Sequence, residues 1–438
     1  MSVLSDLRAV QKVIRNAARS RTNRRALEQR VGDEAQPAPG TVQIAVYFAD
    51  TRVNLYQIRQ WYAPLAELAE TYPVVIITRS PGASLTLLDE SPVPIVYRRR
   101  ITDLEEFVEE QDLRIVFYVN QNQKNFQMFR YGRMWHVFIN HGESDKMYMT
   151  TNQFKAYDYA LVAGEAALDR LGRKLWDFDL AKKAIPIGRP QADHFAAELP
   201  AGGLPYTPDG RTVVLYAPTW EGDRPAAAYG SIASHGIALT DAVLASPKHR
   251  LIYRPHPRSG VIDPLYREAN ARIIAAIAAA NQRDPGAQHV FDDGSEMGWQ
   301  LSAADVAITD ISAMIYDRLA TGKPIIVARP ASPDAEVDEE GFLGSAAWLY
   351  ADRAGDVLAL VDQVLNDDEA RAVLEHWAER HFGDTTPGAA TKRFHDAVEK
   401  LMAEWDRHAR IHISDRHSSE SDPLDEEDDE EGLPASDD

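Results

Sequence analysis

The sequence predicts an α/β protein in which two parallel sheets face one cleft, and three observations carry that prediction. Short apolar runs alternate with helical stretches through both halves of the chain, the pattern of strands joined by crossover helices. Four short polar motifs stand where four of these strands end. They are Asn140-His141-Gly142, Thr219-Trp220-Glu221, Arg254-Pro255-His256-Pro257 and Asp310-Ile311-Ser312. In open α/β sheets, ligands bind beyond the carboxyl ends of the strands, so four such motifs imply a shared site. Finally, the Pro- and Gly-rich stretch 200–210 reads as a loop that divides the two halves.

Composition sets the outer limits. A chain of 438 residues can build two cores. It has no cysteine, which excludes disulfides, thiolate metal sites and a cysteine nucleophile. No apolar run approaches the roughly 20 residues of a spanning helix, and no secretory signal is visible. The expected location is therefore cytoplasmic. The net charge of -20 argues against general nucleic-acid binding, which needs clustered Lys and Arg. The charge is unevenly spread. Residues 1–30 hold eight Lys or Arg against Asp6 and Glu28, whereas 425–431 is almost wholly acidic.

In chain order, Leu4, Leu7, Val10, Val13, Ile14 and Ala17 recur at helical spacing, with Arg8, Lys12, Arg15 and Arg19 around them. Such a basic amphipathic helix suits an anionic membrane interface, or a solvated or partner-packed position. Residues 33–40 read as a linker. Strands are expected at 42–48, 73–78, 92–97, 114–119, 135–139, 157–162 and 185–187, with helical spacing over 55–72. The second set has strands near 212–217, 251–254, 289–291, 305–309 and 324–327. Its helices are expected at 264–280, 313–320, 354–366 and 387–407. The polar, acidic chain from about Ser414 should be disordered. These readings divide the protein into 1–40 (basic helix and linker), 41–200, 211–410, and an acidic tail, 411–438.

Several chemistries are missing. No Gly-x-Gly-x-x-Gly follows the first strand, and no Walker-type phosphate loop occurs, which disfavours a nicotinamide dehydrogenase or P-loop NTPase. No cluster has metal-ligand spacing, so neither a metal nor a resident cofactor is expected.

The four motifs offer other groups. His141 ends an apolar strand, and an imidazole there can serve as a general base toward a hydroxyl. Asn140 and Gly142 flank it, and Glu143, Asp145 and Lys146 add charge. The plainer alternative is a histidine bonded to a loop carbonyl. Prolines on both sides of His256 restrict its backbone, while Arg254 and Arg258 suit an anion such as phosphate. Asp310 and Ser312 stand at a strand-to-helix junction, where backbone N–H groups bind phosphate and either residue could equally be an N-cap. Thr219 offers a hydroxyl to a phosphate, and Trp220 a ring for a base or for covering the core. Arg189 is a further anion candidate.

Taken in order, these segments resemble the CDP-glycerol glycerophosphotransferase family of teichoic-acid polymerases and primases. The resemblance rests on Phe138-Ile-Asn-His141-Gly-Glu-Ser-Asp-Lys146, Tyr216-Ala-Pro-Thr219-Trp, Arg254-Pro-His256-Pro, and Thr309-Asp310-Ile-Ser312 through Tyr316-Asp317 to Lys323-Pro324-Ile. It covers about residues 130–345. It implies a GT-B fold: two Rossmann-like domains, acceptor side first and nucleotide-donor side second. It also implies transfer of glycerol phosphate from CDP-glycerol to a lipid-linked or polymeric hydroxyl acceptor, with release of CMP. On that basis His141 is the base. His256 and Arg254 stabilise the pyrophosphate or the leaving CMP, Ser312 holds a phosphate oxygen, Asp310 positions the loop, and Thr219 contacts the donor. The family's place at the inner membrane face would give residues 1–30 a purpose. One departure concerns the acceptor, because Glu143-Ser144-Asp145 is more acidic than the motif leads one to expect. CDP-ribitol as donor, a GT-B glycosyltransferase using a nucleotide sugar, and a non-catalytic scaffold are the competing readings.

Overall fold

The computed structural model describes residues 20–30, 36–143, 151–197, 199–200, 202–222, 224–294, 298–337, 339 and 341–412. Lys146, the first nineteen residues of the basic segment and the acidic tail from residue 413 lie outside the described residues. Two parallel sheets form the body, as the alternating pattern predicts. The first contains β1 (Ile44–Phe48), β2 (Val74–Thr78), β3 (Ile95–Tyr97), β4 (Ile115–Tyr118), β5 (Trp135–Phe138), β6 (Tyr159–Val162) and β7 (Ala184–Pro186). Their order is β3-β2-β1-β4-β5-β6-β7. The second contains β8 (Thr212–Ala217), β9 (His249–Tyr253), β10 (Val290–Phe291), β11 (Val306–Thr309), β12 (Ile325–Ala328) and β13 (Ala347–Leu349), in the order β10-β9-β8-β11-β12-β13.

The strand sequences explain this burial. β1 is Ile-Ala-Val-Tyr-Phe, and all five residues are buried. Ile44, Val46 and Phe48 feed the core on one face of the sheet, and Ala45 and Tyr47 the core on the other. A strand covered on both faces needs such a continuous apolar run. Each chain half starts in the middle of its sheet, builds outward, then returns to the other side of its first strand. The order therefore reverses between β1 and β4, and again between β8 and β11. Ligand crevices form at such reversals.

Several features differ from the sequence reading. The helical spacing over 55–72 resolves into two helices, Leu55–Arg59 and Tyr62–Ala69. Trp61, at the break, is only 1% exposed and packs against Phe394 at 5.4 Å between ring centroids. β13 and the helix Asp368–Phe382 also go beyond the reading. Asp367 caps that helix by accepting N–H bonds from Glu369 and Ala370, a start signal visible in Asp-Asp-Glu.

Its position in the sequence groups the last helix, Ala389–Ile411, with the second half. Its Phe394, Ala397, Val398, Leu401 and Met402 instead complete the core of the first sheet, beside Trp61 and Phe117. In the other direction, Phe195 and Tyr206 enter the core of the second sheet. The two units thus exchange chain at both crossings. Residues 20–30 are helical, with Leu27 buried and Arg30 paired to Asp89 at 2.8 Å. Truncating Phe394 to Ala should cost about 3–5 kcal/mol through the cavity it leaves. Denaturant unfolding checks this, and a loss below about 1 kcal/mol would mean that the helix is not an integral part of the first core.

Candidate active site

The first half of the site is built on the turn after β5. Asn140 adopts a left-handed conformation, φ 55°, which Asn tolerates because its short side chain bonds locally. Its Oδ1 accepts the His141 N–H at 2.9 Å, and its Nδ2 donates to the Gly142 carbonyl. The buried Trp61 indole donates to the Asn140 carbonyl. This turn aims His141 at the end of β4, where its Nδ1–H donates to the Val119 carbonyl at 2.9 Å. The Tyr56 ring stands edge-on to the imidazole at 5.8 Å. Among the described residues, no atom would crowd a Cβ on Gly142. Glu143 is buried and paired with Arg170, which takes that acidic side chain out of the open cleft.

The bond to Val119 fixes the His141 tautomer. With Nδ1 donating, the Nε2 lone pair is the acceptor. Burial lowers the imidazole pKa to about 4. The Val119 carbonyl opposes that shift, and the nearby Arg189 charge adds to it. The His141 imidazole is therefore neutral at physiological pH.

The second half lies at the β8/β11 reversal. Asp310 is completely buried there, and its Oδ2 accepts N–H bonds from Thr219 at 2.8 Å and Ser231 at 3.0 Å. Burial raises its carboxyl pKa to about 7 against those hydrogen bonds. Asp310 thus ties the loop after β8 to the end of β11. Ser312 caps the helix Ala313–Leu319, its Oγ accepting from the Met314 N–H at 3.3 Å. Glu221 holds the next loop: its carboxylate accepts N–H bonds from Gly260, Ile262 and Asp263 at 2.8–3.0 Å. Burial would raise the Glu221 pKa, but these backbone bonds outweigh it and lower the value.

Glu221 thereby anchors the segment that carries His256. The His256 N–H donates to the Pro218 carbonyl at 3.1 Å, and its Nδ1 accepts the Arg258 N–H at 3.1 Å. In the neutral ring Nε2 must then hold the hydrogen, the opposite tautomer to His141. Arg258 lies over the Trp220 ring at 3.9 Å, so a cation covers the face proposed for a base. Arg254 pairs with Asp292 at 2.5 Å and donates to the Gly294 carbonyl at 3.1 Å. Its charge is already partly answered by protein.

Arg189 joins the halves. It is 6% exposed and forms an ion pair at 2.6 Å with Asp317, itself 3% exposed, on the helix that Ser312 caps. The same guanidinium donates to the His141 carbonyl at 3.2 Å and to Gln60 at 2.7 Å. Sequence suggested an anion ligand here, and the anion is a protein carboxylate. Gly188, just before Arg189, permits the close approach of the last helix. Its φ is +76°, and a Cβ there would lie 2.2 Å from Arg393. Next to it, Asp193 accepts the Thr391 N–H and hydroxyl at 2.7 and 2.8 Å. Sequence reasoning missed Asp317, Asp292 and the pinning role of Glu221. Asp317 was within reach, lying seven residues after Asp310 in a quoted motif.

Among the described residues no group of His, Asp or Glu is arranged to hold a metal ion. Arg189→Ala should destabilise the protein by about 3–5 kcal/mol, because Asp317 is left buried and uncompensated. The pair Arg189→Met with Asp317→Leu should recover most of that loss while impairing activity. Denaturant unfolding of the three proteins checks this, and a harmless Arg189→Ala would refute the tie.

The fold and the family follow from comparison. The wall teichoic acid polymerase TagF aligns with 91% of this chain and 98% of its own, at 13% identity and a TM-score of 0.55. A histidine variant of that polymerase soaked with CDPG aligns at 13% identity and 0.52, over 92% and 99%. A UDP-N-acetylglucosamine 2-epimerase described as putative, from Listeria monocytogenes, aligns at 15% and 0.52, over 83% and 97%. These likenesses establish the GT-B-like fold. No curated protein sequence matches. The family model for CDP-glycerol:poly(glycerophosphate) glycerophosphotransferase matches residues 137–400, well over half the chain. The chain belongs to that family of glycerophosphotransferase enzymes.

Proposed function

We propose that the cleft transfers glycerol phosphate from CDP-glycerol to a hydroxyl acceptor of a teichoic-acid-like or capsule polymer, with His141 as base and His256 as hydrogen-bond donor. The observation that supports these roles is the pair of opposite tautomers, one neutral ring with its lone pair on Nε2 and the other with its hydrogen there. The acceptor oxygen attacks the glycerol-bearing phosphorus. As that O–P bond forms, the bond from phosphorus to the bridging oxygen breaks. The acceptor proton passes to His141 Nε2, and CMP leaves with the bond electrons. His256 Nε2–H meets the charge that grows on the departing phosphate. Phosphoryl transfer needs mainly positioning and charge neutralisation, and Thr219, Ser312, Arg254 and Arg258 line the second half of the cleft to supply it. Asn140, Gly142 and Trp220 shape the two loops.

Membrane contact is part of the reading. Among the described residues no helix is long and apolar enough to cross a membrane. The lipid-linked acceptor places the enzyme on the inner face of the cell membrane, held there by the basic segment 1–30. Part of that segment, the helix at 20–30, rests on the first domain through Leu27 and Arg30. Deleting residues 1–30 should weaken binding to anionic liposomes in a co-sedimentation assay, and unchanged binding would contradict this role.

The test of function is CMP release from CDP-glycerol with a lipid-linked or glycerol-phosphate acceptor analogue. His141→Ala should lower turnover by about 10²–10⁴-fold with donor binding intact, and His256→Ala should also cut turnover. Product from a nucleotide sugar instead would contradict the donor assignment. The pH profile adds a second check. With the base pKa near 4, the acid limb of kcat/KM should not appear at 6.5 but only as pH falls toward 4.

A further inference from the structure

The reversal between β1 and β4 in the first sheet has its own set of polar side chains, which the roles above leave unused. Asp50 follows β1, and Asn120, Gln121 and Asn122 follow β4. Asn120 donates to Gln57 at 2.7 Å and to Asp50 at 3.4 Å, and Asn122 donates to Asp50 at 3.0 Å. Asn125, wholly buried, donates to the Asn120 carbonyl at 2.7 Å, and its Oδ1 has no hydrogen-bond partner among the described residues. Amides at this density are costly to bury unless paired, and here they gather at a ligand-binding position of the fold.

Two contacts place this cluster beside the base. The His141 imidazole bonds the carbonyl of Val119, and the next residue is Asn120. The Tyr56 ring touches that imidazole, and the next residue is Gln57. Tyr56 and Phe126 are both about half exposed at the rim, 51% and 52%. The cluster's chemistry is selective. A hydroxyl both donates and accepts, as an amide does, and a carboxylate can accept two hydroxyls at once. A phosphate offers acceptors only, and Asp50 would repel it. Of the cations two residues away in sequence, Arg52 and Lys124 are exposed, and Arg59 is paired with Glu90 at 2.8 Å.

We propose that Asp50, Gln57, Asn120 and Asn122 form the acceptor subsite, and that it takes an uncharged, hydroxyl-rich terminus, a polyol or sugar unit, rather than a phosphate. This rests on the reading of His141 as the base. Asp50 and Asn122 are binding residues, and Gln57 and Asn120 position them.

The experiment compares full-length wild type with Asp50→Asn, Asn122→Ala and the rim control Arg52→Ala. Initial rates give the KM for acceptor and for CDP-glycerol separately. Saturation-transfer NMR without donor reports binding of glycerol and methyl β-glucoside against glycerol 3-phosphate. Asp50→Asn and Asn122→Ala should each raise acceptor KM about tenfold, the loss of one hydrogen bond. Donor KM and the Arg52→Ala enzyme should stay as in wild type. The neutral probes should saturate in wild type and lose that signal in Asp50→Asn. Unchanged acceptor KM in both variants overturns the subsite. Binding of glycerol 3-phosphate to wild type as strongly as the neutral probes overturns the neutral-terminus assignment. Because the NMR measurement uses no CDP-glycerol, a wrong donor assignment would silence the rates yet leave the Asp50-dependent signal.

Discussion

The candidate site depends on one buried contact, the ion pair of Arg189 with Asp317. Arg189 leaves the first sheet after β7, and Asp317 lies on the first helix after β11, so the pair spans the two halves. Burying two charges is expensive, and such a pair adds little net stability. Its value here is geometric. The same guanidinium holds the His141 carbonyl, and the Asp317 helix begins at Ser312. Both halves of the site are referenced to one rigid point. The last helix reinforces this, since it starts beside Asp193 and ends in the first core.

Around that point, carboxylates act as fasteners of backbone and leave the cationic chemistry to others. Asp310 holds the Thr219 loop, and Glu221 holds the His256 loop. Each takes up N–H groups that would otherwise be unsatisfied at the sheet edge. The histidines inherit fixed orientations, and their carbonyl or amide partners set which nitrogen carries hydrogen. A reactive group placed on such a pinned turn needs little reorganisation when substrate arrives.

Much of the fold was legible because buried parallel strands are continuous apolar runs, as in Val74–Thr78 and Ile325–Ala328. The motif positions were legible because polar residues end those runs. What sequence hid was long-range. Nothing local distinguishes an arginine that meets substrate from one that meets Asp317, and Arg189 was read as the former. Arg254 likewise carries Asp292 as its partner across 38 residues of chain. The last helix has an ordinary amphipathic pattern, which says that one face is buried but not against which sheet. The Asp50–Asn122 cluster draws its members from three segments, none conspicuous alone.

The most direct test is a crystal structure of the full-length protein with CDP-glycerol bound. The pyrophosphate should lie between the His256 loop and Ser312, with the glycerol-bearing phosphorus turned toward His141 Nε2. A donor seated away from both histidines, or with its reactive phosphorus facing the second sheet alone, would contradict that placement.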